Sequence, residues 1–324
     1  MTTVDLLIVG AGPVGLFGLY YAGFRGMSTA VLDSLEEPGG QVTALYPEKL
    51  IYDVAGFPAV KGRELVDNLV AQAAPFEPAY LLGERGDTLV EQADGTWIVI
   101  TDKGRKVAAK AIIITGGLGT FTPRQLPVGE HYLGRGLSYF VKSLEEHRDK
   151  DVVVVGGGDS AFDWALNLHP IAKSVTLVHR RDKFRAHEHT ISQVRGLGVP
   201  IHTFAEVTAI HGSDTVAGVT ITPTQGGDEL TQDAQTVIAA LGFTADLGPL
   251  ADWGLGIERK QILVDTTMLT NRPGIFAAGD IVEYPGKVRL IAVGFGEVAT
   301  AVNNAAPVID PGAKVFPGHS SDPG

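Results

Sequence analysis

A chain of 324 residues with a net charge of −11 and no cysteine is too long for one compact core, and it predicts about two domains of a globular α/β protein. The missing cysteine excludes disulfides, thiolate zinc sites, cysteine-ligated iron–sulfur clusters and dithiol redox motifs. The acidic balance argues against broad binding to nucleic acid or anionic lipid. No apolar run is long enough to span a bilayer, and the apolar start lacks the basic flank of a secretory signal, so a cytoplasmic location is the simplest expectation.

The first predicted unit is VDLLIVGAGPVGLFGLYYAGFRG: an apolar strand, a G-x-G-x-x-G turn at Gly10, Gly12 and Gly15, and a helix entered through Pro13 and ending near Gly26. A second strand, STAVLD, ends at Asp33. Gly10 permits the tight turn, Gly12 lets the backbone approach a pyrophosphate, and Gly15 lets helix and strand pack closely. The helix N-terminus offers unpaired N–H groups to the diphosphate, and Asp33 stands where a carboxylate accepts from ribose hydroxyls. The next crossing, AIIITGG, is an apolar strand ending in small residues, followed by the breakers of GGLGTFTPR.

The pattern then recurs. DVVVVGGGDSAFDWALNL places Gly156, Gly158 and Ala161 at the three motif positions, with Asp159 and Ser160 opening the helix. Its following strand, SVTLVH, ends at His179. Gly10 to Asp33 and Gly156 to His179 are both steps of 23 residues. The last position differs in kind, because His179 is followed by Arg180 and Arg181, within the basic stretch LVHRRDKFRA that also holds Arg185. An acid accepts from a free 2′-hydroxyl and repels a 2′-phosphate, whereas arginines bind that phosphate through charge-assisted bonds. The second unit is therefore expected to hold NADP(H), and the first a dinucleotide without that phosphate, FAD or NAD.

Beyond a second crossing, TVIAALGF, the segment NRPGIFAAGDI puts Asp280 at the carboxyl end of a short buried strand, where an acid suits a polyol chain and favours FAD. The fold class expected is α/β, with two Rossmann-like (three-layer ββα) dinucleotide-binding domains. The second is inserted into the first: residues 1–118 with 244–324 for FAD, and 119–243 for NADP(H). His187, Glu188 and His189 read as solvated residues rather than metal ligands, and Phe162 and Trp164 as packing residues on the second motif helix.

The motifs G-x-G-x-x-G, PGGQ, GGGDSAFDWAL, HRRDKFRA and FAAGD, in this order, resemble the thioredoxin-reductase-like flavoproteins over essentially the whole chain. Thioredoxin reductases carry a C-x-x-C just before the second glycine motif. Here that region reads GRGLSYFVKSLEEHRDKD, so disulfide reduction by that route is excluded. The stretches QVTALYPEKLIYDVAGFP, GGGDSAFDWALNLHPIAKSVTLVHRRDKFRAHEH and LIAVGFGEVATAVNNA resemble the cysteine-free branch, the ferredoxin–NADP⁺ reductases of this type. The resemblance implies FAD contacts at Asp33, Gln41, Phe121 and Asp280, and a backbone contact to the adenine at Gly86. It also implies that Tyr46 stacks on the isoalloxazine, a homodimer, and a C-terminal extension in which His319 matches the ring that covers the other flavin face. Tyr46 also reads as a buried core tyrosine. The implied reaction is hydride transfer from NADPH to the flavin, then single electrons to ferredoxin, with no side-chain acid or base required. Flavodoxin, a quinone or iron chelates are alternative acceptors, and a non-turning-over FAD/NADP-binding sensor is the alternative from another class. Arg124, Arg135 and Lys142 are the candidate docking cations for an acidic carrier.

Overall fold

The computed structural model describes residues 1–117 and 120–318, and of Thr120, Phe121 and Ala245 the backbone alone. The described residues form two compact units. One comprises residues 1–44, 50–120 and 245 onward; the other comprises 45–49 and 121–244.

The first unit opens with β1 (Thr2–Val9), whose apolar run is buried from Leu6 onward. Helix α1 (Pro13–Phe24) follows with proline at its start, where a missing N–H costs nothing. Then come β2 (Thr29–Asp33) and helix α2 (Gly62–Ala73), which buries Leu65, Val66, Leu69 and Ala73 along one helical stripe. The strands β3 (Ala79–Leu82), β4 (Gly86–Glu91), β5 (Trp97–Thr101) and β6 (Lys106–Ile114) complete this stretch. In space they run β3–β2–β1–β6–β5–β4. Pairing is parallel through β3, β2, β1 and β6, and antiparallel in the β4–β5–β6 meander. The parallel strands are apolar on both faces, as crossover helices require.

The second unit repeats the plan. The strands β7 (Leu137–Ser138) and β8 (Asp151–Val155), helix α3 (Asp159–Leu168), β9 (Ser174–His179), helix α4 (Glu188–Gly196) and β10 (Ile201–Thr203) come first. An antiparallel trio, β11 (Ala205–Gly212), β12 (Val216–Pro223) and β13 (Leu230–Asp233), leads into β14 (Thr236–Ala239). The parallel sheet runs β7–β14–β8–β9–β10. Its two faces are covered differently. The antiparallel trio packs through Val207, Val219 and Ile221, while the helices pack through Phe162, Trp164, Ile191 and Val194.

The chain then returns to the first unit with β15 (Ile275–Ala277), parallel to the second half of β6, whose first half pairs with β5. Helix α5 (Ile291–Ile309) closes the unit, burying Gly294, Glu297, Val298, Ala301, Val302 and Ala305 at helical spacing. No helix among the described residues is long and apolar enough to cross a membrane.

Candidate dinucleotide sites

The two glycine turns are built alike. Gly10 N–H donates to Leu32 O at 2.8 Å, and Gly156 N–H donates to Val178 O at 3.0 Å, so each turn is fastened to the next parallel strand. Gly12 and Gly158 cap α1 and α3 with extended backbone, and no atom lies within 4 Å of where a Cβ would stand on either. Each helix thus starts at an open backbone face, the cradle that a diphosphate would fill. Gly10 and Gly156 have positive φ, at +117° and +156°, and a Cβ there would meet backbone of Thr115 (2.6 Å) and Ala240 (2.4 Å) respectively.

They part at the third motif position. A Cβ on Gly15 would lie 1.9 Å from Gly10 O and 2.8 Å from Thr115 Oγ1, the hydroxyl that donates to Gly10 O at 2.8 Å. The second turn has Ala240 in the place of Thr115 and carries Ala161 in the place of Gly15. There the turn accommodates the methyl of Ala161, and no hydroxyl faces it.

Asp33, at the end of β2, is partly buried. Its Oδ2 accepts from Ala11 N–H at 2.6 Å and its Oδ1 from Leu35 N–H at 2.8 Å. Burial pushes its carboxyl above the ordinary value, opposed by those backbone donors. A carboxylate has about four lone-pair sites, so these backbone donors do not exhaust its capacity to accept from a ribose hydroxyl. The PGGQ segment docks on the same turn: Gly39 N–H donates to Ala11 O at 2.8 Å, and a Cβ on Gly40 would stand 3.1 Å from Gly12 Cα. Gln41 begins the short helix Gln41–Leu45, with its amide nitrogen 3.2 Å from where Gly117 would carry a Cβ. Gly86 starts β4, packed against Leu32, Val99 and Trp253. Beside it, Glu84 N–H donates to Asp33 O at 3.0 Å, and Arg105 and Thr101 hold the Glu84 carboxylate below its usual range.

Asp280 follows β15, and its carboxylate accepts no hydrogen bond from the described residues. Burial raises its pKa, with Lys287 and Arg289 pulling it back down. An under-bonded, partly buried acid beside the open end of α1 suits a polyhydroxyl chain. These features fit a dinucleotide with a polyol, which is FAD. Thr115, Tyr284 and Lys287 were not singled out by motif reading. Only the Gly10 contact of Thr115 and the Glu297 contacts of Tyr284 and Lys287 reveal them.

In the second unit the basic stretch folds back over its glycine turn. Arg185 N–H donates to Gly157 O at 2.7 Å, and His187 N–H donates to Asp159 Oδ1 at 2.9 Å. The His179 ring lies where Gly157 would carry a Cβ, 2.4–2.5 Å from that position, and it packs beside Phe184. Arg180, Arg181 and Arg185 are exposed and make no ion pair among the described residues. Burial holds the His179 ring below its ordinary pKa, a hydrogen bond to the Lys183 backbone opposes this, and the three guanidiniums add to the depression. A ring held against protonation beside three unpaired guanidiniums has the chemistry to receive an anion. Ser160 is exposed in the first turn of α3.

Tyr46 lies in the 45–49 segment that clusters with the second unit. There it packs beside the core containing Val141, Phe162 and Trp164, with Lys49 Nζ 5.6 Å from its ring centroid. Lys49 pairs with Asp163 at 2.5 Å, and Leu144 N–H donates to Glu48 at 2.9 Å. The Phe121 side chain and all of His319 lie outside the described residues.

A profile of the pyridine nucleotide-disulphide oxidoreductases matches residues 4–305. The chain is 65% identical to a ferredoxin–NADP reductase of Frankia alni, over 98% of both chains. It is 49% identical to one of Thermus thermophilus, over 98% of this chain and 96% of that one. Among solved structures, the thioredoxin reductase of T. acidophilum matches with a TM-score of 0.81 at 28% identity, covering 93% of this chain and 97% of that one. That of Lactococcus lactis gives 0.79 at 28% identity, covering 94% and 99%.

Proposed function

This chain is an oxidoreductase of the pyridine nucleotide-disulphide oxidoreductase family, and from that membership we propose that it is a ferredoxin–NADP reductase. It binds FAD in the first unit and NADP(H) in the second, and moves electrons between NADPH and ferredoxin. The observation that carries this reading is the contrast of Asp33 with His179, Arg180 and Arg181 at one register position of two like turns, in a chain with no cysteine. With no dithiol, electrons have no thiol route to a disulphide. Two curated relatives named for ferredoxin, at 65% and 62% identity over nearly the whole chain, supply the acceptor.

When bound, FAD supplies the redox chemistry, taking a hydride and giving electrons singly. The chain's residues bind and orient. The N–H groups around Gly10, Gly12, Pro13 and Gly15 receive the FAD diphosphate, Asp33 takes a ribose, Asp280 the polyol, and Gln41, Gly86 and Phe121 flank the remainder. Tyr46 and His319 stack on the flavin, the latter from the C-terminal extension of a homodimer. In the second unit Gly156, Gly158, Asp159 and Ser160 cradle the NADP(H) diphosphate, with Asp159 turned to the His187 N–H so that its charge is already bonded. His179, Arg180, Arg181 and Arg185 take the 2′-phosphate.

The test is anaerobic mixing with NADPH, followed by addition of oxidised ferredoxin. NADPH should bleach the flavin absorbance, and ferredoxin should then restore it within turnover time. Bleaching without reoxidation by ferredoxin would leave an NADPH oxidoreductase for another acceptor, and no bleaching would sink the proposal.

A further inference from the structure

Helix α5 carries an acid where its buried stripe should be apolar. Glu297 is 5% exposed, between Gly294 and Val298 on the face turned to the core. Burying a carboxylate costs several kcal/mol unless it is paired and bonded. Here Oε2 accepts from Gly279 N–H at 2.8 Å, and Oε1 accepts from Tyr284 Oη at 2.6 Å and Lys287 Nζ at 2.5 Å. The Lys287 side chain is itself wholly buried, so the pair neutralises itself away from water. Burial and the Glu297 charge push the Tyr284 hydroxyl up to about 12, so it stays a donor.

The cluster sits where three parts of the first site converge. Gly279 has φ +86°, and a Cβ on it would touch Val14 of α1 at 3.4 Å. A Cβ on Gly294 of α5 would stand 2.5 Å from Val14 Cγ2 and 3.4 Å from Gly279 Cα. The glycines allow this approach but do not hold it, since van der Waals contact has no direction. The directional tie is the bond from Gly279 N–H to Glu297, one residue before Asp280.

We propose that Glu297 is the positioning residue of the FAD site: it fixes the Gly279–Asp280 turn against the starts of α1 and α5, so that the Asp280 carboxylate meets the cofactor's polyol, and Lys287 and Tyr284 hold Glu297 in place for that task. The proposal rests on the first unit being the FAD site, and the test separates the two claims. Glu297→Gln with Lys287→Met removes both buried charges but keeps an oxygen for Gly279 N–H. Glu297→Leu with Lys287→Met removes that oxygen as well. FAD is titrated into the flavin-free full chain of each variant, with NADP⁺ binding as the check that the second unit is folded. A positioning role makes the Leu pair bind FAD about tenfold or more weaker than the Gln pair, the cost of an orphaned buried N–H, with NADP⁺ affinity alike in both. Equal FAD affinity in the two pairs overturns it. Should the Leu pair not fold, Glu297→Asp keeps the charge and shortens the reach: a loss of similar size supports the proposal, and unchanged FAD affinity overturns it. If the unaltered chain binds no FAD, the reading of the first unit fails instead.

Discussion

The two glycine turns are one design used for opposite charges. Each fastens its first glycine to the next strand, opens a helix at an unobstructed glycine, and ends the following strand at a residue facing the turn. In the first that residue is Asp33, and burial resists its negative charge. In the second it is His179, and burial with three arginines resists its positive charge. In the proposed function the two scaffolds place a ribose alike, and the side chain at the strand's end chooses which ribose each accepts. On that proposal a single register position separates two cofactors.

The largest expected effect lies in the arginines. Arg180→Ala with Arg181→Ala should weaken NADPH by about 1.5–3 kcal/mol per lost charged bond and leave NADH nearly untouched. Dissociation constants for both coenzymes measure this, and equal losses would erase the contrast between the turns.

Next comes the third motif position. Gly15→Ala drives a methyl into Gly10 O and the Thr115 hydroxyl, and should cost about 1–3 kcal/mol of stability by urea unfolding. Gly15→Ala combined with Thr115→Ala copies the second turn and should recover part of that loss. No recovery would show that the hydroxyl is not what tells the turns apart. The reverse change, Ala161→Gly, should cost only about 0.5–1 kcal/mol, the ordinary price of glycine in a helix.

The smallest effect is one of pH. The folded state resists protonating His179, whereas the unfolded chain takes that proton near about 6.5. The stability is therefore fully present above that value and is lost as pH falls through it towards the lower folded value. Urea midpoints of coenzyme-free protein from pH 7.5 to 5 (roughly the span over which an ordinary histidine titrates) should decline less in His179→Gln. An identical decline in both proteins would remove His179 from the account.

Much of this was legible in the chain, because the motif positions are local. Gly10, Gly12 and Gly15 and their counterparts act within a single strand–turn–helix, and their spacing alone announces them. PGGQ was recognisable as a motif, but its purpose was not. That Gly39 and Gly40 pack on Ala11 and Gly12 depends on a return of the chain across the first turn. The 45–49 segment illustrates the same limit. Reading in chain order puts Tyr46 with its neighbours, whereas Lys49 to Asp163 and Leu144 to Glu48 bind that segment to residues about 100 positions away.

The sequence by itself determined that two dinucleotide turns exist, that one ends in an acid and the other in arginines, and that no thiol chemistry is available. Those properties reside in residue type and in spacings of a few residues, which backbone geometry converts directly into shape. Only the tertiary structure decided what braces the turns: Thr115 on Gly10, Asp159 on His187, and the buried Glu297, Lys287 and Tyr284 behind Gly279. A buried charge is tolerable only where its partners meet it. That meeting is a property of the packed fold, and no periodicity along the chain records it.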